Sequence, residues 1–246
     1  MTTAYEKTFH IPASGVDRFD RLKMSSILEY MQEVAGDHSA ILGADRKALA
    51  EKGLFWAVIR HGIHIGRLPK AGEDILVKTW PMPTTRTAYP RAAIGWDSQG
   101  NEVFRSLSLW VLMDGESRAM VLPGKSGVEV EGILLGDELP TPGSLAPKPL
   151  ENLQERVVRY SDLDYNGHMN NCKYLDWVAD LLDCRFHGSH QPKEITLNYL
   201  SEAREGEALA LHWALEEGNV LMVQTGRVGE DVSTNHSRVF ACRIQL

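Results

Sequence analysis

The sequence predicts an α+β fold made of two copies of one unit, a helix followed by an antiparallel sheet. A helical apolar stripe occurs near the start of each half, four segments of alternating polarity follow each stripe, and a segment rich in Pro, Gly and Ser separates the halves. Because one copy alone covers both faces of its sheet poorly, we expect the sheets to join edge to edge into one continuous sheet wrapped on two long helices.

The composition is that of a globular chain with a large core. The chain has 246 residues, of which 43% are hydrophobic and 24% are charged. No apolar run reaches the length of a membrane span, and the N-terminus has no signal or transit pattern, so we expect a cytoplasmic protein without membrane insertion. A net charge of −7 without basic runs argues against a nucleic-acid partner. Cys172, Cys184 and Cys242 have no zinc-type spacing, and neither metal nor cofactor is expected.

The first half begins with a predicted helix over 22–42, and Gly43 follows it as a stop signal. The apolar stripe consists of Ile27, Leu28, Met31, Val34, Ala35, His38, Ile41 and Leu42. Alternating polarity then predicts strands at 56–65, 74–80, 87–95 and 104–113. We expect the first half to be a helix followed by an antiparallel meander.

The segment 123–150 is the predicted linker, because Pro, Gly and Ser are concentrated there. It divides an N-terminal domain, 1–122, from a C-terminal domain, 151–246. The second half repeats the order of the first, with a helix predicted at 170–185. Strands are predicted near 193–200, 207–214, 219–228 and 236–245.

The two halves can also be aligned with each other. Shifting the first half by 144 positions places Asp20 on Asp164 and Tyr30 on Tyr174, and a later shift of 134 places Gly72 on Gly206. An insertion of 10 residues after the first helix would explain the change of shift. The alignment indicates a fused pseudo-dimer.

The densest group of polar side chains lies in 160–177, YSDLDYNGHMNNCKYLDW, just before the second apolar stripe. Asp and Asn are common helix caps, and for Asn170 alone capping and a functional role are equally good interpretations. A cap does not require Asp164, Asn166 and His168 together with Gly167, which permits a close turn. The group is better explained as a site.

The segment DLDYNGHMNNCKYLDW resembles the Asp-x-Asn-x-His-x-Asn-Asn-x-x-Tyr-x-x-Trp signature of the acyl-acyl-carrier-protein (acyl-ACP) thioesterases of plants and bacteria. YMQEVAGDHSAILG, GIHIGRLPKAGEDILVKTW and SLSLWVLMD occur in that family's order. The resemblance implies a tandem (double) hotdog fold. It also implies hydrolysis of fatty acyl-ACP to a free fatty acid and holo-ACP, which ends elongation, with acyl carrier protein as the partner and no cofactor.

The family's catalytic residues map onto Asp164, Asn166, His168 and Glu202. Plant members carry a Cys directly after that Glu, whereas this chain has Ala203, so a cysteine nucleophile is not expected. Asp164 would attack the thioester carbonyl or hold the attacking water, while His168 and Glu202 handle the proton and Asn166 orients the carboxylate or substrate. The two routes remain open, and backbone N–H groups at the start of the 170–185 helix could stabilise the oxyanion.

The first half lacks this machinery. Under the shift of 144, Leu22 stands at Asn166 and Met24 at His168; under the shift of 134, Leu68 stands at Glu202. We therefore predict that the acyl chain lies against the first helix. The lining residues would be Met31, Val34, Ala35 and Ile41, although such a stripe is more often plain core.

Three other functions remain as alternatives. An acyl-CoA thioesterase would use the same fold and the same residues. A hydratase or dehydratase would need a His and one acid, without Asn166 and Glu202. A non-catalytic acyl-binding protein would not need the intact set. An exposed sheet edge would be compatible with a homodimer.

Overall fold

The computed structural model describes residues 3–136 and 138–246, which form two compact units, Met1–Pro142 and Gly143–Leu246. Each unit is an antiparallel sheet with helices, in the order that the sequence predicts. Among the described residues, no helix is both long enough and apolar enough to cross a membrane.

The N-terminal unit contains one long helix and six strands among its described residues. The elements are β1 (Tyr5–His10), α1 (Met24–Ile41), α2 (Arg46–Ala50), β2 (Leu54–Ile65), β3 (Asp74–Pro81), β4 (Tyr89–Asp97), β5 (Glu102–Asp114), β6 (Met120–Val121) and α3 (Pro123–Ser126). The sheet order is β1-β3-β4-β5-β2, and β6 pairs with β5. The predicted helix and all four predicted strands are confirmed.

Strand β1 was not predicted from the sequence. It precedes α1 and pairs with β3 along its whole length, from Tyr5 opposite Thr79 to His10 opposite Asp74. Its pattern is hard to detect because the side facing α1 includes Lys7. The ammonium group of Lys7 pairs with Glu33 and Asp37 of the helix, at 2.6 and 3.0 Å.

The C-terminal unit has the same plan with shorter helices. The elements are β7 (Asn152–Val157), α4 (Lys173–Ala179), α5 (Cys184–Ser189), β8 (Glu194–Tyr199), β9 (Ala208–Glu216), β10 (Val220–Arg227) and β11 (Arg238–Gln245), in the order β8-β11-β10-β9-β7. The four predicted strands are confirmed, and β7 is the second strand that was missed. The ring of Tyr174 on α4 stacks on Phe240 of β11 with centroids 4.6 Å apart.

The prediction of one helix over 170–185 is wrong. Helix α4 has only 7 residues, and a separate helix, α5, begins after Asp183, whose carboxylate accepts from the N–H of Phe186. The break is stabilised because the imidazole Nε2 of His187 bonds the carbonyl oxygen of Ala179 at the end of α4, at 2.9 Å. The apolar stripe continues to Leu181 and Leu182, so the helical periodicity of the sequence did not reveal this break.

Parts of the segment predicted as the linker, 123–150, are hydrogen-bonded to the sheets. Before Pro142, the N–H of Ile133 donates to the carbonyl of Pro81, at 2.9 Å. After it, the amide of Asn198 bonds both Gly143 and Leu145. Each part therefore makes backbone hydrogen bonds to its own unit.

The close approach of this segment to β3 leads to a stability prediction. A Cβ atom at Gly132 would overlap the carbonyl group of Met82, so Gly132→Ala should lower the free energy of unfolding by about 1–3 kcal/mol. Gly124→Ala is the matched control, because nothing lies within 4 Å of its added Cβ. Urea denaturation measures both variants, and equal stabilities would contradict the predicted contact.

Candidate active site

The segment Asp164–His168 forms a closed turn. The N–H of Asp164 donates to the carbonyl of His168 at 2.9 Å, and the N–H of Gly167 donates back to the carbonyl of Asp164 at 3.0 Å. The Asp164 carboxylate accepts from the N–H of Asn166 at 2.7 Å, which is the bond of an Asx turn. Gly167 has φ +78°, where a side chain is unfavourable. The turn therefore needs both Asp164 and Gly167.

A second set of bonds joins the turn to the end of the strand region that carries Glu202. The N–H of Met169 donates to the carbonyl of Ala203 at 2.8 Å, and His168 forms an isolated antiparallel bridge with Arg204. This register brings the imidazole Nε2 of His168 to 3.2 Å from the Glu202 carboxylate. The side chain of His168 is 17% exposed and that of Glu202 is 39% exposed, so the pair is open to a ligand.

The four predicted residues thus form two contacts on one loop and strand end. Asn166 contributes its side-chain amide to the second carboxylate oxygen of Asp164, at 3.4 Å. Glu202 is held at its backbone, where the carbonyl oxygen accepts from the guanidinium of Arg227 at 2.9 Å. The arrangement provides a carboxylate–amide pair and an imidazole–carboxylate pair, which are groups suited to positioning water and moving a proton.

Other polar residues of the segment have structural roles. Asn170 accepts from the N–H of Cys172 at 2.9 Å, and its own N–H donates to the carbonyl of Asp162. The N–H of Lys173 also bonds the carbonyl of Asn170. Asn170 therefore closes an Asx turn just before α4, whose N-cap residue is Cys172. The N–H groups of Cys172 and Lys173 are thus donated to Asn170, and the predicted oxyanion site at this helix start stays a prediction.

The three cysteines differ in burial, and position 203 carries alanine. Ala203, which stands where the plant members carry Cys, is buried against the turn. Burial raises the pKa of the Cys242 thiol, which keeps this residue protonated. Cys172 is buried and Cys184 lies at the start of α5, exposed.

The N-terminal unit contains the same turn with different side chains. The N–H of Asp17 donates to the carbonyl of Arg21 at 2.7 Å, and the Asp17 carboxylate accepts from the N–H of Phe19 at 2.8 Å. Val16 bridges Leu22 as Leu163 bridges Met169, a shift of 147 positions. The predicted shift of 144 is therefore wrong for this segment, and the following insertion has 13 residues rather than 10.

The corrected shift changes the residues that correspond to the candidate site. Asp17 stands at Asp164 and Arg21 at His168, instead of Asp20 and Met24. The guanidinium of Arg21 bonds the Asp17 carboxylate through Nε at 3.0 Å and through a terminal nitrogen at 2.8 Å. Leu68 still stands at Glu202. An ion pair therefore occupies the N-terminal turn in place of a histidine.

The residues predicted to line an acyl site lie on α1. Met31, Val34 and Ala35 are buried, as the stripe predicts. Ile41 is 54% exposed and does not belong to this buried face, which ends at His38. Ile41 is the last residue of α1, and its role in lining an acyl site stays a prediction.

Two family models match the chain. The acyl-ACP thioesterase N-terminal domain matches residues 2–122, and the acyl-ACP thioesterase C-terminal domain matches residues 147–239. The chain therefore belongs to the acyl-ACP thioesterase family.

Curated relatives of the chain are also named as acyl carrier protein thioesterases. The chain is 24% identical over 230 residues to a chloroplastic palmitoyl-acyl carrier protein thioesterase of Gossypium hirsutum, covering 87% of the chain and 56% of the relative. It is also 24% identical over 225 residues to oleoyl-acyl carrier protein thioesterase 1 of Arabidopsis thaliana, covering 84% and 62%. The chain thus spans less than two thirds of each relative. A cytoplasmic location stays a prediction.

Solved structures establish the fold. An acyl-ACP thioesterase from Bacteroides thetaiotaomicron superposes with a TM-score of 0.83 at 21% identity, over 99% of this chain and 97% of the other. The 12:0-ACP thioesterase from Umbellularia californica superposes with a TM-score of 0.82 at 22% identity, over 100% and 97%. The predicted tandem hotdog is confirmed.

The positive φ of Gly167 leads to a matched pair of variants. Gly167→Ala should destabilise the protein by about 1–2 kcal/mol because a Cβ atom disfavours the left-handed region. Gly167→Asn should lose less stability than Gly167→Ala, since Asn tolerates this conformation. Urea denaturation gives both free energies of unfolding, and an Ala variant as stable as the Asn variant would refute the requirement.

Proposed function

We propose that this protein hydrolyses the thioester of fatty acyl-acyl carrier proteins to a free fatty acid and holo-ACP, which ends chain elongation. The observation that carries the proposal is the contact between His168 and Glu202, 3.2 Å, beside the turn closed by Asp164. Membership in the acyl-ACP thioesterase family supports acyl-ACP as the substrate. The acyl carrier protein is then the partner that delivers the chain.

The imidazole–carboxylate pair supplies the proton transfers. A carboxylate beside His168 stabilises the imidazolium form, so the imidazole becomes a better acceptor for a proton from water. The hydroxide that forms attacks the thioester carbonyl carbon. When the tetrahedral intermediate collapses, the C–S bond breaks and the imidazolium returns its proton to the leaving thiolate.

The Asp164 carboxylate positions water in this proposal. One of its oxygens accepts the short bond from the N–H of Asn166, and the other faces the amide of the same residue. A carboxylate that closes its own turn is restrained from rotating towards a carbonyl carbon. The water route is therefore favoured over a covalent acyl intermediate on Asp164.

The acyl chain belongs to the N-terminal unit in this proposal. The turn there carries the Asp17–Arg21 ion pair and no imidazole. Helix α1 presents Met31, Val34 and Ala35 on its buried face, where an apolar chain would find matching surface.

Removal of the proton-transfer pair tests the proposed chemistry. His168→Ala should lower kcat for acyl-ACP by about 10²–10⁴-fold, the usual contribution of general acid–base catalysis, and Glu202→Gln should also lower it. Release of free thiol from acyl-ACP and acyl-CoA panels measures the effect. Unchanged kcat in His168→Ala would refute the role, and a higher kcat/KM with acyl-CoA would assign CoA as the carrier.

Asp164→Asn has a matched control in the other unit. Asp17→Asn changes the corresponding carboxylate of the N-terminal turn, so its kcat should stay within about twofold of the wild-type value. In Asp164→Asn, kcat should fall by about 10²-fold or more. Circular dichroism checks that both variants fold. Equal losses in the two variants would contradict a chemical role for Asp164.

Labelled water separates the two routes. After many turnovers in ¹⁸O-water, the label should appear in the fatty acid and be absent from the Asp164 carboxylate, because water attacks the carbonyl directly. Mass spectrometry of the peptide containing Asp164 gives the result. Incorporation of ¹⁸O into Asp164 would show instead a covalent anhydride that water opens at the aspartyl carbon.

A further inference from the structure

A single guanidinium, that of Arg227 on β10, bonds both ends of the loop that carries Glu202. One terminal nitrogen donates to the carbonyl oxygen of Glu202 at 2.9 Å and lies 3.3 Å from the Glu207 carboxylate. The other terminal nitrogen donates a long bond to the Ser201 hydroxyl, at 3.5 Å. The loop over 201–207 is therefore closed by a side chain of another strand, and we call this set of bonds the loop junction.

The Glu207 carboxylate anchors this guanidinium. It also accepts from the N–H of Arg204 at 3.2 Å, and the N–H of Glu207 donates to the carbonyl of Arg204 at 3.1 Å. The acid is therefore fixed by its own turn. The side chain of Arg227 is 35% exposed and that of Glu207 is 29% exposed, so water screens the ion pair only in part. The guanidinium is held on one side and can support the Glu202 backbone on the other.

The N-terminal unit has a loop junction at the corresponding positions. Under the shift of 134, Glu73 stands at Glu207, and its carboxylate likewise accepts from the backbone N–H three residues earlier, at 2.7 Å. Asp97 stands at Arg227. Each of these two residues accepts at its carbonyl from the N–H three residues later, and each pairs across the sheet with the residue two positions after the loop glutamate. The junction therefore belongs to the fold of both units.

The cation of the loop junction lies on a different element in each unit. In the N-terminal unit it is Arg67 of the loop, which bonds the Glu73 and Asp97 carboxylates at 2.6 and 2.8 Å. In the C-terminal unit it is Arg227 of the strand, which bonds one carboxylate and the backbone of Glu202. An ion pair that only closed the loop would serve equally well from either element. The move of the cation to the strand therefore has its distinct effect at Glu202.

Glu202 lies between two backbone anchors. Before it, two successive N–H groups share the carbonyl oxygen of Val239, at 2.9 and 3.2 Å, so the regular pairing of β8 with β11 has ended. After it, the Ala203 carbonyl accepts from the N–H that follows His168, at 2.8 Å. The bond from Arg227 fixes the carbonyl oxygen of Glu202 and with it the plane of the peptide that joins Glu202 to Ala203. This plane sets the direction in which the Glu202 side chain leaves the backbone.

We propose that Arg227 is a positioning residue of the candidate site, which keeps the Glu202 carboxylate within hydrogen-bond distance of His168 by holding the Glu202 backbone. The inference rests on the proposed function, because it takes the imidazole–carboxylate pair to transfer the proton. Arg227 acts through Glu202, and its guanidinium is engaged by the loop. Arg204 is less suited to this task, since its guanidinium lies 4.0 Å from the Glu202 carboxylate and its side chain is 64% exposed.

Steady-state kinetics with the acyl-ACP panel test the inference through Arg227→Met. This variant should lower kcat about tenfold or more, because a displacement of about 1 Å in a catalytic group can cost about 10²-fold, whereas KM should stay within about twofold. Arg67→Met is the matched control, because it removes the corresponding cation from the N-terminal unit. It should lose at least as much stability in urea, since Arg67 bonds two carboxylates, yet keep kcat within about twofold of the wild-type value.

A double-mutant cycle separates positioning from a general effect on the fold. If Arg227 acts through Glu202, Arg227→Met should lower kcat about tenfold in the wild-type background but less than about twofold in Glu202→Gln, where no carboxylate remains to be positioned. Arg227→Lys should keep the ion pair with Glu207 and recover kcat only in part, because one ammonium group cannot reproduce the guanidinium fork. Equal losses from Arg227→Met in the two backgrounds would overturn the inference.

An NMR titration of the His168 ring gives a readout that does not depend on turnover. A carboxylate beside an imidazole favours the imidazolium form, so Glu202→Gln should move the midpoint of the titration to lower pH. Arg227→Met should move the midpoint in the same direction, while Arg67→Met should leave it at the wild-type value. Arg204, which lies 4.0 Å from the Glu202 carboxylate, is unchanged in all three variants.

Each outcome has a definite meaning. If Glu202→Gln moves the midpoint and Arg227→Met does not, or if Arg67→Met loses as much kcat as Arg227→Met, the inference fails alone. If both variants of the C-terminal unit move the midpoint but the wild type hydrolyses no acyl thioester, the proposed function fails alone. If neither variant moves the midpoint, the carboxylate does not act on His168, and the inference fails together with the proposed proton transfer.

Discussion

The hydrogen bond from the Met169 N–H to the Ala203 carbonyl fixes the candidate site. It connects a turn to a strand end more than thirty residues later and sets which side chains are neighbours. A shift of one residue would move Glu202 away from His168, because successive side chains of an extended segment point in opposite directions. The bond is short, 2.8 Å, and Ala203 is buried, so water does not compete for it.

The same backbone bond exists in the N-terminal unit, where the Leu22 N–H donates to the carbonyl of Pro69 at 2.7 Å. The turn and its anchor therefore belong to the fold, and only the side chains differ between the copies. In one copy the anchored positions are His168 and Glu202, while in the other they are Arg21 and Leu68. Arg21 then finds its acid inside its own turn, at Asp17. A common scaffold thus holds a proton-transfer pair in one unit and a structural ion pair in the other.

Elements with a local sequence pattern could be predicted, whereas features that depend on contacts between distant residues could not. In strands β2 to β5 and β8 to β11, polar and apolar residues alternate along the sequence. This local pattern was enough to predict them. Strand β1 carries Lys7 on the side that faces α1, and its partner acids lie on another element, so no local pattern reveals it. The break after α4 depends on His187 reaching back to Ala179, and the periodicity continued through it.

The resemblance named the candidate residues and grouped His168 with Glu202, but similarity of side chains set the alignment of the two halves wrongly. Matching Tyr30 with Tyr174 aligned similar side chains, whereas the bonds of the turns show that backbone position, three residues away, is what the copies share.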